Sequence, residues 1–203
     1  MSHFVHVSTT VSKLGPAIPT VNLPALITCR PDAPCRTEGC YALRGNFRYT
    51  NVQKAIYNNL LAYQENPKLF FSMIAEVFQN FKRARWFSSG DIVDMEFLKG
   101  MCWVARKCPE TKMLCFTKKY ELVNQFLDEK HQIPKNLKIV FSRWKDFPCP
   151  NPYNLPETYV YFPKEKSANE NIPYDAIPCS GKCSSCTSCW TLNKGQSVVF
   201  RKH

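Results

Sequence analysis

The chain lacks any apolar run of the 18 or more residues that a membrane span needs, so no membrane protein is expected. Its first residues, Met-Ser-His-Phe-Val-His-Val, lack a basic stretch followed by an apolar one and a small-residue cleavage site. They do not read as a secretory signal, and a cytoplasmic location is expected. Glycine is scarce, 7 residues against 15 prolines, which points to long, stiff connections. Acidic residues are few, 16 against 27 Lys and Arg, for a formal charge of +11. A basic balance favours nucleic acid or another anionic partner, or a dispersed solvated surface. No basic block is dense enough to mark a nucleic-acid patch; the densest, Lys82-Arg83-Ala84-Arg85, reads equally as the end of a helix.

Cysteine, by contrast, is abundant, and it is the most specific signal in the chain. The 11 cysteines are an odd number, and with no secretory context they argue against a disulfide framework. Four fall close together as Cys179-x3-Cys183-x2-Cys186-x2-Cys189-Trp, and three as Cys29-x5-Cys35-x4-Cys40-Tyr-Ala. Thiolates in tight runs hold zinc or iron–sulfur clusters. The quartet's gaps of 3, 2 and 2 reverse those of a bacterial ferredoxin run, whereas mononuclear zinc usually takes two short pairs from separated segments. Four thiolates on one loop suit a cubane, with zinc as the alternative. Cys102 and Cys115 lie in apolar periodic segments and read as core residues. Cys108 and Cys149 each precede proline and carry no assigned role.

The remaining pattern alternates strand and helix. Short strands are expected within Val5–Val11 and Val21–Thr28, a helix over 51–65, and a second helix from Pro67 whose stripe includes Phe70, Ile74 and Phe78. A strand over 84–89 follows, then a helix over 95–107 capped by Asp94, a strand over Lys112–Thr117 and a helix over Tyr120–Glu129. Further strands are expected at Leu137–Ser142, Thr158–Phe162 and Ser197–Phe200, with 163–175 polar and loose. The alternation implies a parallel sheet, in which function collects beyond the C-terminal ends of the strands. Ser88, Ser89, Asp91, Thr117, Lys118, Ser142 and Arg143 would lie there, each with a plain alternative as a turn or cap residue.

Two resemblances join these residues. Cys-x5-Cys-x4-Cys-Tyr-Ala, followed some fifty residues later by Trp-Phe-Ser-Ser-Gly-Asp, resembles the start of a radical S-adenosylmethionine (SAM) barrel. The family's own pattern has Cys-x3-Cys-x2-Cys and Gly-Gly-Glu. The resemblance implies a fold class of α/β type: a partial (βα) barrel over 1–162, with a C-terminal Cys-rich segment over 163–203. It also implies an open-site 4Fe–4S cluster on Cys29, Cys35 and Cys40, and a SAM site drawing on Ser89, Gly90 and Asp91. Lys118 and Arg143 join the cofactor candidates by position, and Cys179, Cys183, Cys186 and Cys189 would hold a second cluster. Over nearly the whole chain, the Cys-Tyr-Ala-Leu-Arg, Phe-Ser-Ser-Gly-Asp, Phe-Thr-Lys and C-terminal cysteine segments resemble the gene product 88 family of phages and mobile elements. The function expected is that of an iron–sulfur protein with radical chemistry on an unknown substrate, served by an electron donor protein. The rival readings are a nucleic-acid-associated protein with structural metal sites, in which Trp86, Trp103, Trp144 and Trp190 are candidates to stack on bases, and a SAM-independent electron-transfer or redox protein.

Overall fold

The computed structural model describes residues 4–9, 11 and 13–202. Its centre is an eight-stranded, mostly parallel sheet. The strands are β1 Val7–Ser8, β2 Thr20–Val21, β3 Arg83–Trp86, β4 Lys112–Thr117, β5 Leu137–Ser142, β6 Glu157–Tyr161, β7 Ile177–Pro178 and β8 Ser197–Arg201. Their spatial order is β1-β2-β3-β4-β5-β6-β8-β7, antiparallel only between β1 and β2. Order in space follows order in sequence from β1 to β6, and β2 to β6 are parallel, so the loops leaving these strands land side by side at one sheet end. The Cys-rich C-terminal stretch supplies β7 and β8 of this sheet.

Helices are α1 Ala25–Thr28, α2 Cys35–Glu38, α3 Thr50–Glu65, α4 Pro67–Phe78, α5 Met95–Lys107, α6 Tyr120–Asp128 and α7 Ser188–Thr191. The long ones carry the expected punctuation. Pro67 opens α4, where Asn66 Oδ1 accepts the Leu69 N–H at 3.0 Å; Asp94 Oδ1 accepts the Phe97 N–H at 2.7 Å to cap α5.

Alternation along the strands sorts two cores. Ala84, Trp86, Met113, Cys115, Ile139 and Phe141 face α3–α6 in the larger one, where Trp86 lies 5.3 Å from the Phe78 ring and Phe97 lies 5.2 Å from Phe71. Gly100 lets α5 approach this cluster, since a Cβ there would fall 2.0 Å from the Phe71 ring. Leu114, Val140 and Val198 face the opposite side and pack with Leu14, Ile18, Cys189, Trp190 and Leu192. The C-terminal segment therefore has an apolar anchor of its own.

Several expectations change. Of Val21–Thr28 only Val21 is strand, as the end of β2, and α1 follows, because Pro24 sets the helix start and Thr28 Oγ1 donates back to the Pro24 carbonyl at 3.0 Å. Within Val5–Val11 only Val7–Ser8 is strand, and residue 10 lies outside the described residues. The strand expected over 84–89 ends at Trp86, where Phe87 turns to φ 63°. The Lys82–Arg85 block does not end a helix: α4 stops at Phe78, and Arg83 and Arg85 lie in β3. In 163–175 a 3₁₀ turn, Ser167–Asn169, is tied down by Asn169, which bonds both the N–H and the carbonyl of Phe162.

Candidate functional site

The loop leaving β2 is clasped to the turn leaving β3. Asn22 Oδ1 accepts the N–H groups of Ser88 (2.7 Å) and Ser89 (3.1 Å), Leu23 N donates to the Ser89 carbonyl, and Ser89 Oγ donates to the Leu23 carbonyl. Gly90 has φ +86°, and a Cβ there would stand 2.6 Å from the Leu23 carbonyl oxygen, so glycine is required for the approach. Asp91 N donates to Thr28 Oγ1 at 3.0 Å. The Asp91 carboxylate accepts from Thr117 Oγ1 (2.6 Å), Lys118 N (2.9 Å) and its own neighbour Ile92 N (2.8 Å). Asp94, and not Asp91, caps α5. Burial raises the Asp91 pKa against the pull of these donors. Ser89 and Asp91 are buried, and their hydrogen bonds fasten the first cysteine loop to the ends of β3 and β4.

Cys29, Cys35 and Cys40 lie on that loop, each half-buried. Tyr41, next to Cys40, donates its hydroxyl to the Ser88 carbonyl at 2.6 Å. Arg30, next to Cys29, pairs with Asp32 and Glu121, donates to the Lys118 carbonyl and lies 4.8 Å from the Phe147 ring centroid. The trio is thus brought to the sheet end that carries Asp91 and Lys118. Burial pushes the Cys29 thiol up, with Asp91, Cys35 and Cys40 adding to it and Lys118 opposing. Burial also pushes Cys35 up, against Lys118.

Lys118 is the cation of this group. Its ammonium donates to Ser142 Oγ at 2.7 Å and lies 5.6 Å from the Trp144 ring centroid, with no carboxylate in ion-pair distance among the described residues. Burial lowers its pKa, while Cys35, Asp91, Cys29 and Cys149 oppose that as negative neighbours. Cys149 thus stands near Lys118 as well, and burial holds its thiol up, at about 11. Arg143 lies one strand further, paired with Glu157 at 3.1 Å. It borders a cavity of about 240 Å³ shared with Trp144, Lys145, Phe147 and Tyr159. Lys145 ties that rim back to α2 through Glu38 at 3.7 Å.

The quartet occupies the other face of the sheet. Cys183 N donates to the Lys13 carbonyl at 3.1 Å, and Trp190 Nε1 to the Ala84 carbonyl at 3.1 Å. Arg83 reaches across β3 into the loop: Nη1 donates to the carbonyls of Cys183 (3.0 Å) and Cys186 (2.8 Å), Nη2 to that of Ser184 (3.1 Å), and its guanidinium stacks 5.3 Å from Trp190. Gly181 N donates to Cys179 Sγ at 3.4 Å, and Cys186 Sγ shares a 3.4 Å bond with Ser188 Oγ. The Ser188 bonds lower the Cys186 pKa, whereas burial, then Cys179 and Cys183, push Cys189 up to about 12. Among the described residues, no three or more His, Cys, Asp or Glu side chains are close enough together to hold a single metal ion. No helix among them is long and apolar enough to cross a membrane.

Arg83, Arg85, Tyr41 and Thr28 were missed as site residues in the sequence. The Arg-x-Arg alternation was the available signal, since two residues apart on a strand means one face. Of the four tryptophans, Trp86 and Trp190 are core residues and Trp103 is exposed. The cysteines read as core residues, Cys102 and Cys115, are buried, as is Cys108.

Residues 6–195 match the family model described as gene product 88. No curated protein and no solved structure matches the chain.

Proposed function

The chain belongs to the gene product 88 family, and for this member we propose an iron–sulfur protein with radical SAM-like features, built on a partial (βα) barrel. Cys29, Cys35 and Cys40 hold a 4Fe–4S cluster with one iron left open; Cys179, Cys183, Cys186 and Cys189 hold a second, fully ligated one. The observation that carries the reading is electrostatic. Each cysteine group is gathered against a cation that has no carboxylate partner among the described residues: Lys118 at the trio and Arg83 at the quartet. Asp91 is a negative neighbour of Lys118 without reaching ion-pair contact, and a partly buried charge without a contact counterion is costly. Metal-bound thiolates supply the missing negative charge, where neutral thiols do not.

A cluster with an uncovered iron supplies one-electron chemistry and a coordination position for a small ligand such as S-adenosylmethionine. The chain's own residues do the rest. Ser89, Gly90 and Asp91 fix the loop that carries the trio; Asp91 keeps one acceptor position beyond its three bonds for an incoming ammonium. Lys118 and Arg143 present positive charge at the same sheet end. Arg83 orients the quartet loop by its carbonyls. An electron donor protein is the implied partner.

Protein purified without oxygen should contain iron and sulfide, with absorbance near 400 nm. Cys35→Ser and Cys186→Ser should each remove about half the iron. Zinc in place of iron at both groups overturns the reading, and iron without any spectral response to SAM removes the SAM part. The alternative, a nucleic-acid-associated protein with structural zinc, draws on the charge of +11. It predicts zinc together with salt-dependent binding to DNA.

A further inference from the structure

A third cation without a carboxylate lies between the two cysteine groups. Arg85 follows Arg83 by two residues on β3 and shares its face, ~7 Å further toward the trio. Unlike Arg83, it makes no hydrogen bond to either cysteine loop. Its Nε donates to the Phe87 carbonyl at 3.1 Å, and its guanidinium lies 5.0 Å from the Phe116 ring centroid. Both Nη groups are left without a hydrogen-bond partner among the described residues, which is the forked donor pair that grips an oxyanion in a bidentate way.

A second, independent feature stands beside it. Thr20 on β2 is the register partner of Arg85 and therefore faces the same side of the sheet. It is fully buried, and its Oγ1 has no hydrogen-bond partner. Ser88, just past the end of β3, has a buried hydroxyl in the same condition. Buried hydroxyls are rarely left unpaired, so an orphaned one calls for a partner from outside the chain, a water or a bound molecule.

We propose that the sheet face around Arg85 and Thr20 is the substrate site, and that it takes a small molecule through an oxyanion, a carboxylate or a phosphate. The Arg85 fork holds the oxyanion and Thr20 Oγ1 donates to it. The position suits a substrate of the proposed chemistry. At one end of β3, Arg83 grips the quartet; at the other, Ser88 accepts from Tyr41 beside Cys40, so the anion sits between the two groups. What the site is for rests on the reading of those groups as metal centres. The site itself rests only on Arg85 and Thr20.

The test is calorimetric titration of the full chain, of measured metal content, with inorganic phosphate and with succinate at constant ionic strength. One saturable site is expected, at least tenfold weaker in Arg85→Gln, several-fold weaker in Thr20→Val, and unchanged in Lys107→Gln, which removes the same charge elsewhere. Saturation by phosphate alone assigns a phosphate ester, and by succinate alone a carboxylate. No saturable binding, or binding that survives Arg85→Gln, overturns the proposal. So does loss of metal from the quartet in Arg85→Gln, which would make Arg85 a counterion of that group. A chain that binds the anion yet carries no iron fails the metal reading and keeps this one.

Discussion

Replacing Arg83 by Met keeps much of the stem that lies on Trp190 and deletes the fork. Three hydrogen bonds to the carbonyls of Cys183, Ser184 and Cys186 are lost, together with a cation–π contact at 5.3 Å. Hydrogen bonds with a charged partner contribute ~1.5–3 kcal/mol each when well formed. They are not additive, the donor is only half-buried, and water replaces part of what is lost, so about 3 kcal/mol for the set is a reasonable expectation. For a chain of this size that is a fall in Tm of roughly 6–12 °C if the segment unfolds with the rest. If it opens by itself, the same energy appears as faster amide exchange confined to 179–187, with α7 held back by the buried Trp190. The assay is hydrogen exchange read by mass spectrometry on wild type and Arg83→Met, with metal content measured in parallel. Faster exchange and lower metal retention in 179–187 are expected. Unchanged exchange there, with a Tm shift under about 2 °C, refutes the view that Arg83 holds the quartet loop.

Gly100→Ala drives a methyl into the Phe71 ring, and overpacking of about 1–3 kcal/mol should lower the urea midpoint without touching either cysteine group. Asp91→Asn replaces an acceptor oxygen by a donor amide among three N–H and O–H donors. It should cost ~1–3 kcal/mol and release the first cysteine loop, read as lost metal at the trio with the quartet intact. In metal-free protein the Ser188 bonds lower the Cys186 thiol and burial raises Cys183 and Cys189, so alkylation rates should rise with pH at Cys186 first; equal pH profiles for the three thiols would contradict these causes.

The long elements were legible because their signals are local. Pro67 and Asp94 mark helix starts by their own backbone chemistry, and the apolar runs Lys112–Thr117 and Leu137–Ser142 are strands buried on both faces. The edges were not legible. Val21–Thr28 is β-branched enough to suggest a strand, yet the turn at Pro24 is made by contacts with residues near position 89. The C-terminal segment looks too polar to pack, because its few apolar residues are counted alone. Trp190, Leu192 and Val198 meet Leu14, Ile18, Leu114 and Val140, partners far away in sequence.

The site shows the same division. Cysteine spacing named seven thiols as two groups, and the parallel-sheet rule placed the trio with Asp91 and Lys118. What spacing cannot supply is the charge that surrounds them. Lys82-Arg83-Ala84-Arg85 looks like a helix end only while β3 is hidden. Once it is a strand, Ala84 and Trp86 go to the helices and both arginines go to the face that the quartet covers. β3 thus does three things at once: Trp86 fills the larger core, Arg83 holds one cysteine loop, and the turn after Trp86 clasps the other. A charge reversal on this strand should therefore act twice. Arg85→Glu places a carboxylate among Cys183, Cys189 and Tyr41, where a cation now favours their ionised forms. The sign is fixed: a negative neighbour raises thiol pKa values and disfavours thiolate ligation. Metal retention should fall in Arg85→Glu and persist in the neutral Arg85→Gln. If both lose metal equally, Arg85 is a counterion of the quartet, and the anion site placed at it fails.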